Sequence, residues 1–338
     1  MLPLTTTAPT TGSKPNRRFC VAPMLDWTDR HCRFFLRLIS QHAVLYTEML
    51  TTGAILHGDT ERFLAMNAEE HPVALQLGGS NPCDLAAACK LAEKYAYAEI
   101  NLNCGCPSDR VQSGMFGAVM MKNAAITADC VASMREAVDL PVTVKHRIGV
   151  DDYDSYDFLC QFVGTLSEAG CNTFVVHARK AWLKGLSPKQ NREVPELNYD
   201  RVYQLKRDFP DAEIIINGGI TTLEQSIEHL NHLDGVMMGR EAYTNPYILA
   251  TVDQDIYGAN HPVKSREKIA EQFLDYIDNE MSKGTKLHAM TRHILGLFHG
   301  MPGARLFRRH ISENAYKPTA TIDVLTTALK ATSGAMNK

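Results

Sequence analysis

One rhythm constrains this chain more than anything else in it. Eight short apolar runs recur at 18–24, 43–49, 72–78, 98–103, 141–147, 173–178, 213–219 and 235–240. Most are closed by proline, glycine or a polar residue, and most are separated by a segment of helical spacing. The first such segment carries Phe34, Phe35, Leu38 and Ile39 on one face, with Asp26 or Thr28 available as its cap. Further helical segments span 84–95, 124–138, 156–169, 199–209 and 223–230. Strands alternating with helices build a parallel sheet. Eight of them predict an α/β fold, the closed (β/α)8 or TIM barrel. A chain of 338 residues accommodates one barrel of roughly 250 residues and a smaller domain. The competing open, doubly wound sheet lacks its Gly-x-Gly-x-x-Gly turn after the first run.

After Asp253 the pattern changes. Segments 266–281, 287–298, 304–315 and 320–331 read as helices with no strand between them, a small all-α bundle. The expected organisation is therefore a disordered N-terminal lead-in over 1–16, a barrel over 17–253, a linker over 254–263 and a helical domain over 264–338. Charge divides along the same line. From Lys264 onward there are twelve Lys/Arg against seven Asp/Glu, a net of +5, whereas the preceding chain has 23 against 31, a net of −8. A basic domain joined to an acidic one suits contact with a polyanion, although a solvated helical surface has the same count. No apolar run approaches the ~20 residues that span a bilayer, and the Thr/Pro-rich start lacks the apolar stretch of a signal peptide. All nine cysteines precede Asn172. An odd number in a chain of this size reads as reduced thiols in the cytoplasm. A monomer is expected.

A barrel presents its chemistry at the C-terminal ends of its strands. Gln76, Asn103, Lys145, His177, Asn217 and Arg240 stand there. The stretch Glu99–Ser108 starts as an alternating strand and ends in Asn-Cys-Gly-Cys-Pro. Cys-x-Cys has no second ligand cluster at a recognisable spacing, so no metal is expected. Cys106, before a proline at the loop tip, suits a nucleophile or a proton donor. Cys104, nearer the strand, suits packing. Lys145 suits a Schiff base or a positive charge beside an electron-rich cofactor. The glycine turns at 217–219 and 238–240, with Arg240, suit a phosphate, as loops after the last two strands of barrels often do. Arg305 pairs with Arg308 or Arg309 on one helix face, and a second basic stretch runs from Lys184 to Arg192.

Several motifs together carry a resemblance. They are Ala22–Arg30, Leu75-Gln76-Leu77-Gly78-Gly79, Asn101–Ser108, Lys145–Gly149, His177-Ala178-Arg179, Asn217-Gly218-Gly219 and Met238-Gly239-Arg240. The long 183–195 segment and Pro302-Gly303-Ala304-Arg305 belong with them. Over about residues 17–335 the chain resembles the tRNA-dihydrouridine synthases, most closely the bacterial A subfamily acting on D-loop uridines 20 and 20a. That resemblance implies an FMN-bearing barrel recharged by NADPH and a helical domain that binds tRNA. It implies that Pro23, Met24 and Leu25 contact FMN, that Gln76 and Lys145 meet its ring system, and that His177 lies between flavin and uracil. Asn217, Gly218, Gly219, Gly239 and Arg240 would hold its phosphate. A hydride would pass to C6 of uracil and Cys106 would give a proton to C5. By the same resemblance Asn103, Asn191, Arg192, Arg305 and Arg308 would touch tRNA.

Overall fold

In the computed structural model, which describes residues 14–108, 111 and 114–336, the eight runs form one closed parallel barrel in sequence order. The strands are β1 (Phe19–Val21), β2 (Val44–Thr51), β3 (Val73–Gly78), β4 (Glu99–Cys104), β5 (Val142–Arg147), β6 (Thr173–His177), β7 (Glu213–Asn217) and β8 (Gly235–Met238). β1 pairs with both β2 and β8, which closes the ring. Most of the lead-in expected to be disordered, residues 1–13, lies outside the described residues.

Residue parity explains the layering, because successive side chains on a strand point to opposite faces. On β4, Ile100, Leu102 and Cys104 face outward into the main core against the helices. Glu99, Asn101 and Asn103 hydrogen-bond across the barrel interior. A smaller apolar plug, built from Cys20, Ala22, Val44, Tyr46, Ala74, Val175, Ile215 and Met237, fills the middle of the barrel.

Below that plug, at the N-terminal end, buried charge forms a floor. Arg17 pairs with Glu99 and, at 2.8 Å, with Glu213. Glu99 also accepts from Tyr46 Oη at 2.7 Å and Thr143 Oγ1 at 3.0 Å, and Glu213 accepts from Thr173 Oγ1 at 3.0 Å. Burial opposes the charge on Arg17, but the two carboxylates outweigh it and raise the guanidinium pKa.

Helix starts follow local chemistry. Asp29, Asn81, Asn123, Ser155, Asn198 and Thr222 each accept a backbone N–H at a helix N-terminus. The helix Arg30–Ile39 is therefore capped by Asp29, not by Asp26 or Thr28. Thr28 instead closes the preceding loop, its Oγ1 accepting from Met24 N and donating to Met24 O. Asp26 sits in the left-handed region at φ 64° and donates its N–H to Glu48. After β2, two short helices, Thr52–His57 and Thr60–Leu64, occupy a stretch where no helix was expected. Neither is long enough for a helical period to show.

The C-terminal region is helical: Arg266–Ser282, Leu287–Thr291, Ala304–Asn314 and Asp323–Met336. The second of these stops at Thr291 instead of running to Phe298. Beyond it, His293 and Leu297 donate to carbonyls only three residues back, so the chain turns more tightly than an α-helix. Gly296 lies against the barrel, where a Cβ would stand 2.4 Å from Thr244 O. The region docks on the helix Arg30–Ile39 by aromatic contacts, Phe34 with Tyr276 and Phe35 with Phe273. Asp29, the cap of that helix, also receives Arg292 at 2.5 Å and His293 at 3.0 Å. Among the described residues, no helix is long and apolar enough to cross a membrane.

Candidate active site at the C-terminal strand ends

The polar residues expected at the strand ends converge on one mouth, where they form two connected brackets. The first holds the cysteine loop. Asn103 Oδ1 accepts the backbone N–H of Gly105 at 3.1 Å and of Cys106 at 3.0 Å. Its amide donates to Gln76 Oε1 at 2.8 Å, and Gln76 Nε2 donates to Asn101 Oδ1 at 2.7 Å. Asn101 continues to Thr143, and Thr143 to Glu99. A hydrogen-bonded ladder thus runs from Cys106 to the floor. The loop is locked from above as well. Ala118 N donates to Cys106 O at 2.8 Å, and Gly117, at φ 76°, lies where a Cβ would be 2.6 Å from that carbonyl. Only glycine suits that approach and that φ together.

Cys106 is half-buried, with its Sγ 3.6 Å from Ser108 Oγ. Cys104, two residues back, is fully buried in the outer core, and burial pushes its thiol well above the ordinary range. The two cysteines therefore differ in kind: one is wall and the other faces the mouth. Lys145, Arg147 and Arg192 all lie within electrostatic reach of Cys106.

The second bracket spans β5 to β8. Lys145 Nζ donates to Asn217 Oδ1 at 2.9 Å, and Asn217 Nδ2 donates to Met237 O at 2.8 Å. Burial, reinforced by Arg147, pushes the Lys145 ammonium down to about 7. Burial also lowers His177 well below its ordinary value, with Arg147 and Lys145 adding to the effect, so its imidazole is neutral. Gly218, at φ 114°, packs against that ring, where a Cβ would come within 2.6 Å of it. Gly219, at φ 73°, is similarly enclosed by Leu197 and Tyr199. Gly239 differs, since a Cβ there would meet nothing closer than Ala22 at 3.9 Å. Arg240, half-exposed beyond it, pairs with Glu193 of the long loop at 2.6 Å.

Pro23, Met24 and Leu25 form the lip over β1. Met24 packs on the interior plug, and Leu25 is 67% exposed. Arg305 and Arg308 lie on the solvent side of the helix Ala304–Asn314, whose Ala304, Phe307 and Ile311 are buried. Among the described residues neither arginine is in an ion pair.

One residue expected at RNA serves the loop itself. Asn191 is fully buried. Its amide donates to the carbonyls of Trp182, Leu186 and Ser187, and its Oδ1 accepts from Trp182 N. It shapes the 183–195 loop from within, while the adjacent Arg192 is exposed. Asn103 likewise acts first as the bracket for Cys106, with one amide hydrogen beyond its bond to Gln76. Reading residues singly overlooked Arg147. This buried arginine donates to Gly105 O, Lys180 O and Asn191 O at 2.8–3.0 Å, joining the cysteine loop to the long loop. It lies within the motif Lys145–Gly149, but nothing in its spacing indicates that its guanidinium turns to three carbonyls.

Relatives agree with this architecture. A family model described as dihydrouridine synthase matches residues 20–333. A Vibrio cholerae protein named tRNA-dihydrouridine(20/20a) synthase is 62% identical over 313 residues, covering 92% of this chain and 95% of its own. An Escherichia coli K12 protein of the same name is 62% identical over 314 residues, covering 93% and 91%. Among solved structures, an old yellow enzyme homologue from Zymomonas mobilis aligns with a TM-score of 0.51 at 11% identity, over 75% of this chain and 92% of that one. Morphinone reductase aligns with a TM-score of 0.51 at 13% identity, over 77% and 94%. At such identities these two structures speak for the barrel alone. The family match runs through the barrel and the C-terminal helices alike, and the chain belongs to the dihydrouridine synthase family.

Proposed function

We propose that this protein is an FMN-dependent tRNA-dihydrouridine synthase that reduces the C5–C6 bond of D-loop uridines 20 and 20a, with NADPH as reductant. The observation that carries the reading is Cys106, bracketed by Asn103 at a mouth whose other side chains are donors and cations. The names of the relatives at 62% identity point the same way.

The residues at the mouth fit a flavin mononucleotide. Gly218 and Gly219 adopt backbone that only glycine takes easily, and Gly239 leaves open space where a Cβ would otherwise stand. With Asn217 and the forked guanidinium of Arg240, they suit a phosphate. Lys145 and Gln76 offer donors for an electron-rich ring system, His177 a neutral imidazole beside it, and Pro23, Met24 and Leu25 an apolar lip. When bound, FMN supplies the hydride that C6 of the uracil receives.

The chain's own residues do the rest. Cys106 Sγ holds the proton that C5 takes up, as a general acid. The thiolate left behind faces Lys145, Arg147 and Arg192, whose charges stabilise it. Asn103 fixes the loop so that the thiol need not be ordered during the reaction. A base inside folded tRNA must leave its stack to reach such a mouth. Arg192, Arg305 and Arg308 would hold the phosphates around it. In this reading residues 17–253 are the catalytic barrel, 254–263 the linker and 264–338 the tRNA-binding domain of a cytoplasmic monomer.

The test maps dihydrouridine in tRNA from cells lacking the protein and from the same cells given it back. Loss and return at positions 20 and 20a are expected, and Cys106→Ala should bind flavin yet fail to restore the product. Unchanged dihydrouridine in the deleted cells overturns the assignment. Full product from Cys106→Ala overturns the proton-donor role.

A further inference from the structure

We propose that His42, Asp253 and His261 form a binding site for a divalent transition metal of the zinc class, at the N-terminal edge of the barrel and opposite the mouth. The three donors come from three separate segments. His42 lies in the turn before β2, Asp253 in the short helix Val252–Asp255, and His261 in the link to the C-terminal helices. One ligand atom from each lies within 4.8 Å of the others.

The carboxylate is already oriented as a ligand. Asp253 is 1% exposed. Its Oδ1 accepts from Ser40 Oγ at 2.6 Å and His42 N at 3.2 Å, and its Oδ2 accepts from Gln41 N at 2.7 Å. These outer contacts fix the group and leave Oδ2 with a free lone pair. The two cations nearest in charge do not claim it. Lys264 Nζ donates to Leu38 O, and Arg37 donates to the carbonyls of Ser40 and Ala43.

His261 supplies the second argument. Its Nδ1 lies 3.4 Å from Pro262 O, which favours the proton on that nitrogen. Nε2 then presents a lone pair toward Asp253 Oδ2, 3.2 Å away. It is buried and has no hydrogen-bond partner. In that tautomer Nε2 and Oδ2 are two acceptors facing each other, and a cation seated between them satisfies both. The exposed ring of His42 lies nearly parallel to that of His261, 22° apart with centroids at 6.3 Å, and brings a second imidazole to the same place. Two imidazoles and one carboxylate are a donor set for zinc, with the fourth position open to water on the exposed side. Bound there, the ion ties the 254–263 link to the barrel. Sequence spacing does not reveal the site, since His42 and Asp253 are 211 residues apart.

The experiment uses the full chain, stripped by a chelator, dialysed and titrated with zinc ion in competition with a chromophoric chelator. Wild type, His42→Ala and His261→Gln are compared. Wild type should bind one equivalent more than either variant. Its unfolding midpoint should rise by about 5 °C at saturating zinc, while the variants' midpoints stay put. His42 is exposed, so its truncation leaves the core intact. Equal zinc stoichiometry in all three proteins, or no zinc bound by wild type, overturns the proposal.

Discussion

The two ends of the barrel use the same kinds of residue to opposite ends. At the floor, Arg17, Glu99, Glu213, Tyr46, Thr143 and Thr173 bind one another through ion pairs and hydrogen bonds that leave Arg17 Nη2 over. At the mouth, Lys145, Asn103, Gln76 and Asn217 also bind one another, but each keeps hydrogen-bonding capacity and the pKa values there are displaced. A buried polar set whose charges are paired with one another stabilises and specifies the barrel. One that stops short of satisfaction is ready for a ligand, at some expense in stability. The ladder through Asn101 and Thr143 joins the two, so the floor is also the footing of the cysteine loop.

Substitutions that separate the ends sharpen this contrast. The largest effect should come from Cys106→Ala at the mouth, with loss of about 10²–10⁴-fold in dihydrouridine formation and almost no change in thermal unfolding. Glu99→Ala at the floor should do the reverse. It leaves Arg17 and Tyr46 without their shared partner and should destabilise the fold by about 3–5 kcal/mol, measured by chemical denaturation, while any folded fraction still binds flavin. If Glu99→Ala abolished flavin binding in protein that remained folded, the two ends would not be separable.

Asn103→Ala tests the ladder between them. It strips the N–H groups of Gly105 and Cys106 of their acceptor and should cost about 1–3 kcal/mol of stability. Turnover should fall more than flavin affinity, because a loop displaced by a fraction of an ångström misplaces the thiol. Equal losses in both would mean that Asn103 holds the flavin directly.

The last contrast concerns pH. Lys145 titrates near 7 in the fold against an ordinary value of 10.5. Between those values the folded protein binds fewer protons than the unfolded chain, so stability rises with pH across that window. Below about 7 the buried charge costs stability in full. Lys145→Met in the flavin-free protein should therefore be most stabilised relative to wild type near pH 6, and the gap should close toward about pH 10. A gap independent of pH in thermal melts would place the charge of Lys145 in water.

Much of this was legible in the residues themselves. The eight runs, the helices between most of them and the parity that sends Cys104 outward and Asn103 inward all follow from side-chain periodicity. The mouth residues were legible because a parallel barrel collects its strand ends on one side. The helix cap was misplaced by one to three residues, since Asp26, Thr28 and Asp29 are all competent caps and the loop closure through Met24 decides among them. Asn191 was placed at RNA by the family resemblance alone, and its burial depends on carbonyls that only the folded loop gathers.

The sequence by itself determined the barrel, its helical C-terminal region and the placing of the Asn103–Cys106 loop at the C-terminal strand ends. Local periodicity and turn chemistry act over a few residues and can be read in order. The tertiary structure decided how charge is satisfied. Arg147 meets three carbonyls, Asp29 meets Arg292 and His293, and Asp253 meets His261. Long side chains find partners across space once burial removes water. No spacing along the chain records which ones they find.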